Sequence, residues 1–459
     1  MDETTRALSR YITTFDVDAL PASVVHQTKR TLIDTIGCAV GGFHSEPARI
    51  ARQLARGVSS ASPSTLLGTT IASTPDLVAF ANGAAIRYLD FNDSYFAPGG
   101  GHPSDMIGAL LAVADAHQCT GRRLLGAVTV AYEVFCRLSD QVNVIPLGWD
   151  QGTFSALGAV AGIAYLRGLD EVTTAQALAI ASVSSLPLGA TRAGELSMWK
   201  GCATASANRH AVFSTDLAAL GMSGPEAPFD GKGGLWTQMR SAPVQWPEVE
   251  HSHDGYRIMR TMFKHYPSQL HTQGPIEVAL ELRELVSAQS VATVAVHSYE
   301  VAVSSAATEP QKWAPRTRET ADHSIPFLFA SAWLYGGVSA ESFAEQRLSD
   351  PTIAAFMKKL SIDEDEEYTA RYSDEFNCRA LVTTAQGEQH LAHVQYPKGH
   401  AQNPFGDAEL EGKFRALAQP VLGEEAAGRV LPLVWQIDAA PTLSKLRSAI
   451  VVPNMQLVD

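Results

Sequence analysis

The chain has 459 residues, 46% of them apolar and 18% charged, with a formal net charge of −13. That length exceeds what one core usually supports, so two domains are expected, and the composition is that of a globular chain. The acidic balance argues against nucleic acid or an anionic membrane as a partner. Five scattered cysteines, never in a CxxC pair, suit a reducing cytoplasm and carry no zinc or iron–sulfur signature.

The opening stretch MDETTRALSRYITTF is acidic and amphipathic, without the basic and apolar regions of a secretory signal. No run of about 18 apolar residues follows, so no membrane span is expected. Residues 1 to roughly 260 read mostly as helix. VVHQTKRTLIDTIGCAVGG sets Val24, Val25, Thr28, Leu32, Ile36 and Val40 at helical spacing, ending in a glycine pair. STPDLVAFANGAAIRYLDFND begins with Thr74 as N-cap and Pro75 at the first helical position. PSDMIGALLAVADAHQ places Met106, Ile107, Leu110, Leu111 and Ala114 on one face. TFSALGAVAGIAYLRGL and TTAQALAIASVSSLPLG are rich in small residues and read as closely packed, buried helices.

The character changes near residue 265. SVATVAVHSYEVAV alternates with β-branched residues and predicts a strand. CRALVTTAQGEQHLAHVQY predicts a hairpin around Gln386–Gly387–Glu388. DHSIPFLFASAWLYGG and AESFAEQRLSDPTIAAFMKKL are helical, and DEDEE at 363–367 reads as a solvated turn. The expected architecture is mainly α with a smaller α/β (α+β) lid domain. Residues 1–264 and 400–459 form the large helical domain, and 265–399 the lid.

The chemistry concentrates in a few polar stretches. YLDFNDSYFAPGGGHPSD (88–105) lies between two predicted helices, with Asp90 ending one and His102 just ahead of the next. Unpaired N–H groups and the dipole at a helix start favour an anion and a neutral His, so a substrate carboxylate beside an acid/base His102 is one reading. A capped loop in which Asp93 and Ser94 satisfy backbone donors is the other. Asp90, Asp93 and His102 lack partners at metal-ligand spacing, and GGGHPSD lacks the strand and Lys–Ser/Thr ending of a phosphate loop. In GELSMWKGCATASANRH, Lys200 beside Trp199 is either a buried base or carboxylate anchor, or a snorkelling surface lysine. MFKHYPSQLHTQGP crowds Lys264, His265, Tyr266, Gln269, His271 and Gln273 at the domain junction, a common place for a cleft. RETADHSIP carries Arg318, Asp322 and His323, read as a helix start with Asp322 as N-cap and His323 packed. GxSxG and GxGxxG patterns are absent.

Taken together, TLIDTIGCAVGG, YLDFND, GHPSD, GWDQGTF, MWKGCATASANRHAVFSTDLAALG, KHYPSQLHTQGPIEVALEL, KWAPRTRETADHSIPF and YPKGHAQNP resemble the MmgE/PrpD family of 2-methylcitrate dehydratases and cis-aconitate decarboxylases. The resemblance runs over nearly the whole chain. It implies a large helical domain, a lid, a homodimer, no metal or organic cofactor, and a small di- or tricarboxylate substrate. By position it implies catalytic Asp90, His102 and Lys200, with Ser94, Gln151, Lys264, His271 and Gln273 binding substrate. Gln151 stands where dehydratase-like members often carry His, and Gln269 replaces a decarboxylase His. His271 and Gln273 match a dehydratase-like HxQ pattern. The expected activity is a cofactor-independent hydro-lyase that removes a proton α to a carboxylate. The alternatives are an epimerase or racemase of a dicarboxylic imino or amino acid, a decarboxylase, and a non-catalytic polycarboxylate-binding homologue.

Overall fold

The computed structural model describes residues 1–246 and 255–453. Helices dominate, and one four-stranded sheet lies in the second half of the chain. The Ala-rich segments pack as expected. Helices Ile107–Ala116, Gly121–Gln141 and Ser155–Arg167 form the centre of the main core. Around them lie Ala22–Gly41, Pro75–Tyr88, Glu171–Ser184 and Ala203–Ala219. Pro75 stands at the first position of its helix and Thr74 in extended conformation before it, although the Thr74 side chain makes no capping hydrogen bond. Among the described residues, no helix is long and apolar enough to cross a membrane.

The sheet orders its strands as Leu360–Glu364, Val291–Ser298, Cys378–Thr384, Gln389–Val394. The first pair is parallel, and the other two are antiparallel, with Val296 opposite Ala380 and Ala380 opposite Ala392. The expected hairpin is present, and Gly387 turns it at φ +85°. Cys378, Ala380, Val382 and Thr384 alternate inward, and helices Gln273–Arg283 and Ile325–Tyr335 complete a second core with that face.

Two local expectations are corrected. The acidic 363–367 stretch is not a free turn. Asp363 and Glu364 close a strand, and Asp365 caps helix Glu366–Arg371 by accepting from the N–H groups of Glu367 and Tyr368. Acidic residues suit both an exposed strand end and the first turn of a helix. Ser324, not Asp322, is the N-cap of Ile325–Tyr335, accepting from Phe327 N–H. Asp322 instead closes the short helix Arg318–Ala321.

After the sheet the chain returns to the helical body. Helix Asp407–Leu422 packs on Ala22–Gly41 and contributes Leu410, Phe414, Ala418 and Leu422 to the main core. The final stretch of the expected helical domain, 454–459, lies outside the described residues. Two short contacts hold the segment that leads into the domain junction. Ser94–Tyr95 pairs with Thr261–Met262, two residues ahead of Lys264. The 397–403 loop seats Gly399 against Phe263, whose N–H donates to the Gly399 carbonyl at 3.2 Å.

Candidate active site

Asp90 is the hub. It follows helix Pro75–Tyr88 in a left-handed turn (φ +50°), a conformation that a short polar side chain tolerates better than most. Its carboxylate is fully buried and meets three cations. Arg87, one turn back on the helix, stands 2.6 Å from Oδ1, Lys200 stands 2.9 Å from Oδ2, and Lys264 contacts Oδ1. Burial opposes ionisation of Asp90, but Arg87, Lys200 and Lys264 outweigh it and hold the carboxyl well below the usual range.

Lys200 lies on the short 3-10 turn Met198–Gly201 and is buried, although its neighbour Trp199 is half exposed. The snorkelling reading is therefore set aside. Its ammonium donates to both Asp322 oxygens, at 2.8 and 2.9 Å, in addition to facing Asp90. Three carboxylate oxygens thus meet its three N–H groups. Lys264 is completely buried, and both its hydrogen bonds go to Asp90, one to the carbonyl at 2.8 Å and one to Oδ1, which leaves one N–H to spare. Burial lowers its pKa to about 8, against the pull of Asp90.

The small domain contributes the pair Asp322–His323. His323 Nδ1 stands 2.5 Å from Asp322 Oδ1, and its Nε2 lies 3.6 Å from Asp90 Oδ2. Burial, then the nearby Lys200 charge, lower the His323 pKa to about 3, so the ring is neutral. Because Asp322 accepts, Nδ1 carries the proton. Asp90, Asp322 and His323 offer ligand atoms within 4.8 Å of one another. Their oxygens already face Arg87, Lys200 and Lys264, so this donor set is built for ion pairing rather than for a divalent cation.

His102 ends the glycine loop. Its Nδ1 lies 2.7 Å from the Asp93 carbonyl and 3.0 Å from Ser94 Oγ. A carbonyl only accepts, so Nδ1 carries the proton and Nε2 is the basic nitrogen. Burial, then the charges of Arg87 and Lys264, push the His102 pKa well below 6.5 and keep the ring neutral. The glycines allow the loop to close. Tyr95 and Gly101 exchange backbone hydrogen bonds, and a Cβ on Gly99 would stand 2.3 Å from the Val142 carbonyl.

The helix start after His102 is not the anion site that its position suggested. The Ser104 N–H is already taken by Asp93 Oδ1 at 3.0 Å, while Tyr132 donates to Asp93 Oδ2 at 2.8 Å. The protein thus supplies its own carboxylate there. Burial raises the Asp93 pKa to about 7, in spite of those bonds. Asp105 is also structural, accepting from Asn92 Nδ2 at 2.8 Å, with its Oδ2 3.8 Å from Arg87 Nε.

The structure therefore brings Asp90, Ser94, His102, Lys200 and Lys264 together. The remaining candidates divide. His271 Nδ1 meets the Tyr299 hydroxyl at 2.8 Å, and burial with the Lys264 charge lowers its pKa to about 4. Gln151 borders the loop through its carbonyl, 2.9 Å from where a Gly101 Cβ would sit. Gln273 is spent on the backbone. Its Oε1 accepts from His265 and Tyr266 N–H at 3.0 Å each, and its Nε2 donates to the Tyr266 carbonyl and Ser268 Oγ. It shapes the 265–268 turn and has no donor or acceptor left for a ligand. Gln269 N–H donates to the Asp322 carbonyl at 2.7 Å, tying this turn to the Asp322–His323 pair.

Sequence reasoning missed Arg87. It sits in AAIRYLD, where a basic residue in the last turn of a helix reads as an ordinary partner of the dipole. The informative signal was its i, i+3 spacing from Asp90 in a helix whose other charged residue, Asp76, sits in the first turn.

Comparison with known proteins gives the family. The MmgE/PrpD N-terminal domain model matches residues 6–246 and the MmgE/PrpD C-terminal domain model residues 266–438. The chain belongs to the MmgE/PrpD family. It is 25% identical to a cis-aconitate decarboxylase of Homo sapiens, over 95% of this chain and 92% of that protein. It is 28% identical to a 2-methylcitrate dehydratase of Cupriavidus necator, over 88% and 87%. A 2-methylcitrate dehydratase of Escherichia coli (strain K12) is 26% identical over 84% of each. The C-terminal match includes helices Asp407–Leu422 and Glu424–Trp435, which pack on the helical body rather than on the sheet.

Proposed function

We propose that this protein is a lyase of small di- or tricarboxylates, and within that class a hydro-lyase. The observation that carries the reading is a neutral His102 of fixed tautomer beside Lys264, a buried ammonium with one uncommitted N–H. A substrate carboxylate is attracted by the Arg87, Lys200 and Lys264 cations. His102 Nε2 takes the proton from the carbon α to that carboxylate. The C–H electron pair forms the new C=C bond, the neighbouring C–O bond breaks, and Lys264 delivers a proton to the departing hydroxide. The products are an alkene acid and water, and solvent restores the two protonation states. Lys200, clamped by Asp322 and Asp90, acts in this scheme as a fixed charge rather than as half of the acid/base pair. Asp90 holds the cations in register.

The test is a substrate panel in heavy water followed by proton NMR: citrate, 2-methylcitrate, cis-aconitate, malate and iminodisuccinate. Elimination, with a new alkene signal that His102→Asn slows by about 10²–10⁴-fold, supports the reading. Deuterium wash-in at the α carbon without an alkene assigns an epimerase instead. Loss of carbon dioxide assigns a decarboxylase. A ligand that raises the melting temperature without turnover assigns a binding protein.

A further inference from the structure

We infer that Lys413, far from the reacting groups in sequence, is a positioning residue that holds the Asp90 turn in its working geometry. The inference rests on the proposed roles of Asp90 and Lys264, and the test below separates the two.

Helix Pro75–Tyr88 ends with carbonyls that have no partner within the helix, at the negative end of its dipole. The next three carbonyls are each taken by a cation from a different part of the chain. Arg318 Nη2 donates to the Leu89 carbonyl at 3.3 Å, Lys264 Nζ to that of Asp90 at 2.8 Å, and Lys413 Nζ to that of Phe91 at 2.7 Å. The middle cation belongs to the site, and the outer two brace it. Arg318 is fixed by the rings of Tyr88 and Phe343, each 4.6 Å from its guanidinium carbon. Lys413 stands 3.9 Å from the Phe91 ring centroid and pairs with the fully buried Asp34 at 2.7 Å.

Asp90 needs such bracing. A non-glycine residue in the left-handed region persists only where its surroundings over-determine it. Lys413 comes from helix Asp407–Leu422, packed behind the site on Ala22–Gly41, and carries the brace through Phe91. Loss of that brace lets the turn relax and takes the Asp90 carboxylate away from Lys264. The charged and titratable groups around Lys264 are Asp90, Arg87, Lys200 and Asp34, with neutral His102 and His271 and the buried Cys38 thiol, whose pKa burial raises. Asp90 is the one that most strongly favours its ammonium form.

The experiment titrates Lys264 by NMR in the full chain labelled with ¹³C at the lysine ε carbon, assigned with Lys264→Met. It needs no substrate. In Lys413→Met the Lys264 midpoint is expected to fall by about one pH unit or more, since a lost favourable charge of this kind shifts a pKa on that scale. Simple removal of a nearby cation has the opposite sign and raises it. Lys413→Arg, which keeps charge and donor, is expected to restore the wild-type midpoint. With a substrate from the panel, Lys413→Met is expected to lower kcat by about 10–100-fold with a smaller change in KM. An unchanged or raised Lys264 midpoint in folded Lys413→Met overturns the inference. If that variant does not fold, Asp34→Asn/Lys413→Met leaves no unpaired buried charge. Its Lys264 midpoint is compared with that of Asp34→Asn alone, because loss of the Asp34 charge lowers the midpoint by itself. A midpoint no lower in the double variant than in Asp34→Asn overturns the inference. A shifted midpoint with no turnover of any panel compound keeps the positioning role and sinks the proposed reaction.

Discussion

Lys200 and Asp322 join the two domains inside the site: the ammonium of one donates to both carboxylate oxygens of the other, at 2.8 and 2.9 Å. Both side chains are buried, so truncating one strands a charge. Lys200→Met is expected to cost about 3–5 kcal/mol of stability, as for other broken buried pairs. The double variant Lys200→Met/Asp322→Asn is expected to recover part of that loss, because the stranded carboxylate is gone. Turnover is not expected to recover with it. Chemical denaturation and kcat, measured on the same preparations, check both statements. A double variant as unstable as Lys200→Met alone refutes the ion-pair account.

The contrast between Lys200 and Gln273 marks how far the sequence could be read. Asp90, His102 and Lys200 stood out as ionisable groups beside apolar or glycine-rich stretches, and Lys264 as one of a polar crowd at the domain junction, while the roles expected of them came from the family resemblance. The helices and the hairpin followed from periodicity and turn chemistry. Gln273 carries no charge, and where its amide ends depends on how the 265–268 backbone turns. Asp322 and His323 looked like a helix start because a capping residue and an ion-pair partner have the same chemistry one residue apart. Only the tertiary approach of Lys200, 122 positions away, distinguishes them.

Gln273 itself yields a prediction. Three of its four hydrogen bonds hold the backbone of His265 and Tyr266, and the fourth goes to Ser268 Oγ. Gln273→Leu keeps the bulk but leaves buried backbone groups unpaired, at about 1–3 kcal/mol for each left unsatisfied. The melting temperature is expected to fall, while KM stays near wild type because no substrate contact is removed. A large rise in KM with unchanged stability would instead make Gln273 a substrate ligand.

Asp93 sets a pH dependence of stability. Its folded pKa, about 7, lies above the usual value of 3.8, so the native state holds the proton more tightly than the unfolded chain. The stabilisation from that proton is complete below the unfolded pKa and is lost as pH rises through 7. A rise of this size is worth on the order of 4 kcal/mol. Asp93→Asn keeps an acceptor for Ser104 N–H and does not ionise. Relative to wild type it is expected to gain stability between about pH 5 and pH 8. Parallel denaturation curves across that range check it, and a constant difference with pH rules out Asp93 as the titrating group.

The last prediction concerns the rate. Burial holds the Lys264 pKa at about 8, far below an ordinary lysine. In the proposed scheme Lys264 acts as the ammonium, so activity is lost as it deprotonates. His102 acts as the neutral base, and its lowered pKa leaves it ready throughout the neutral range. The profile of kcat/KM against pH is therefore expected to lack the usual histidine limb near pH 6.5 and to fall above about pH 8. Lys264→Arg keeps the charge but does not deprotonate below pH 12. It is expected to bind substrate, lose on the order of 10²-fold or more in kcat, and show no fall near pH 8. A wild-type limb near pH 10 assigns the acid to a different group, and a limb that survives in Lys264→Arg does the same. Both outcomes would leave Lys264 as a fixed positive charge beside Asp90 and move the proton donor elsewhere in the site.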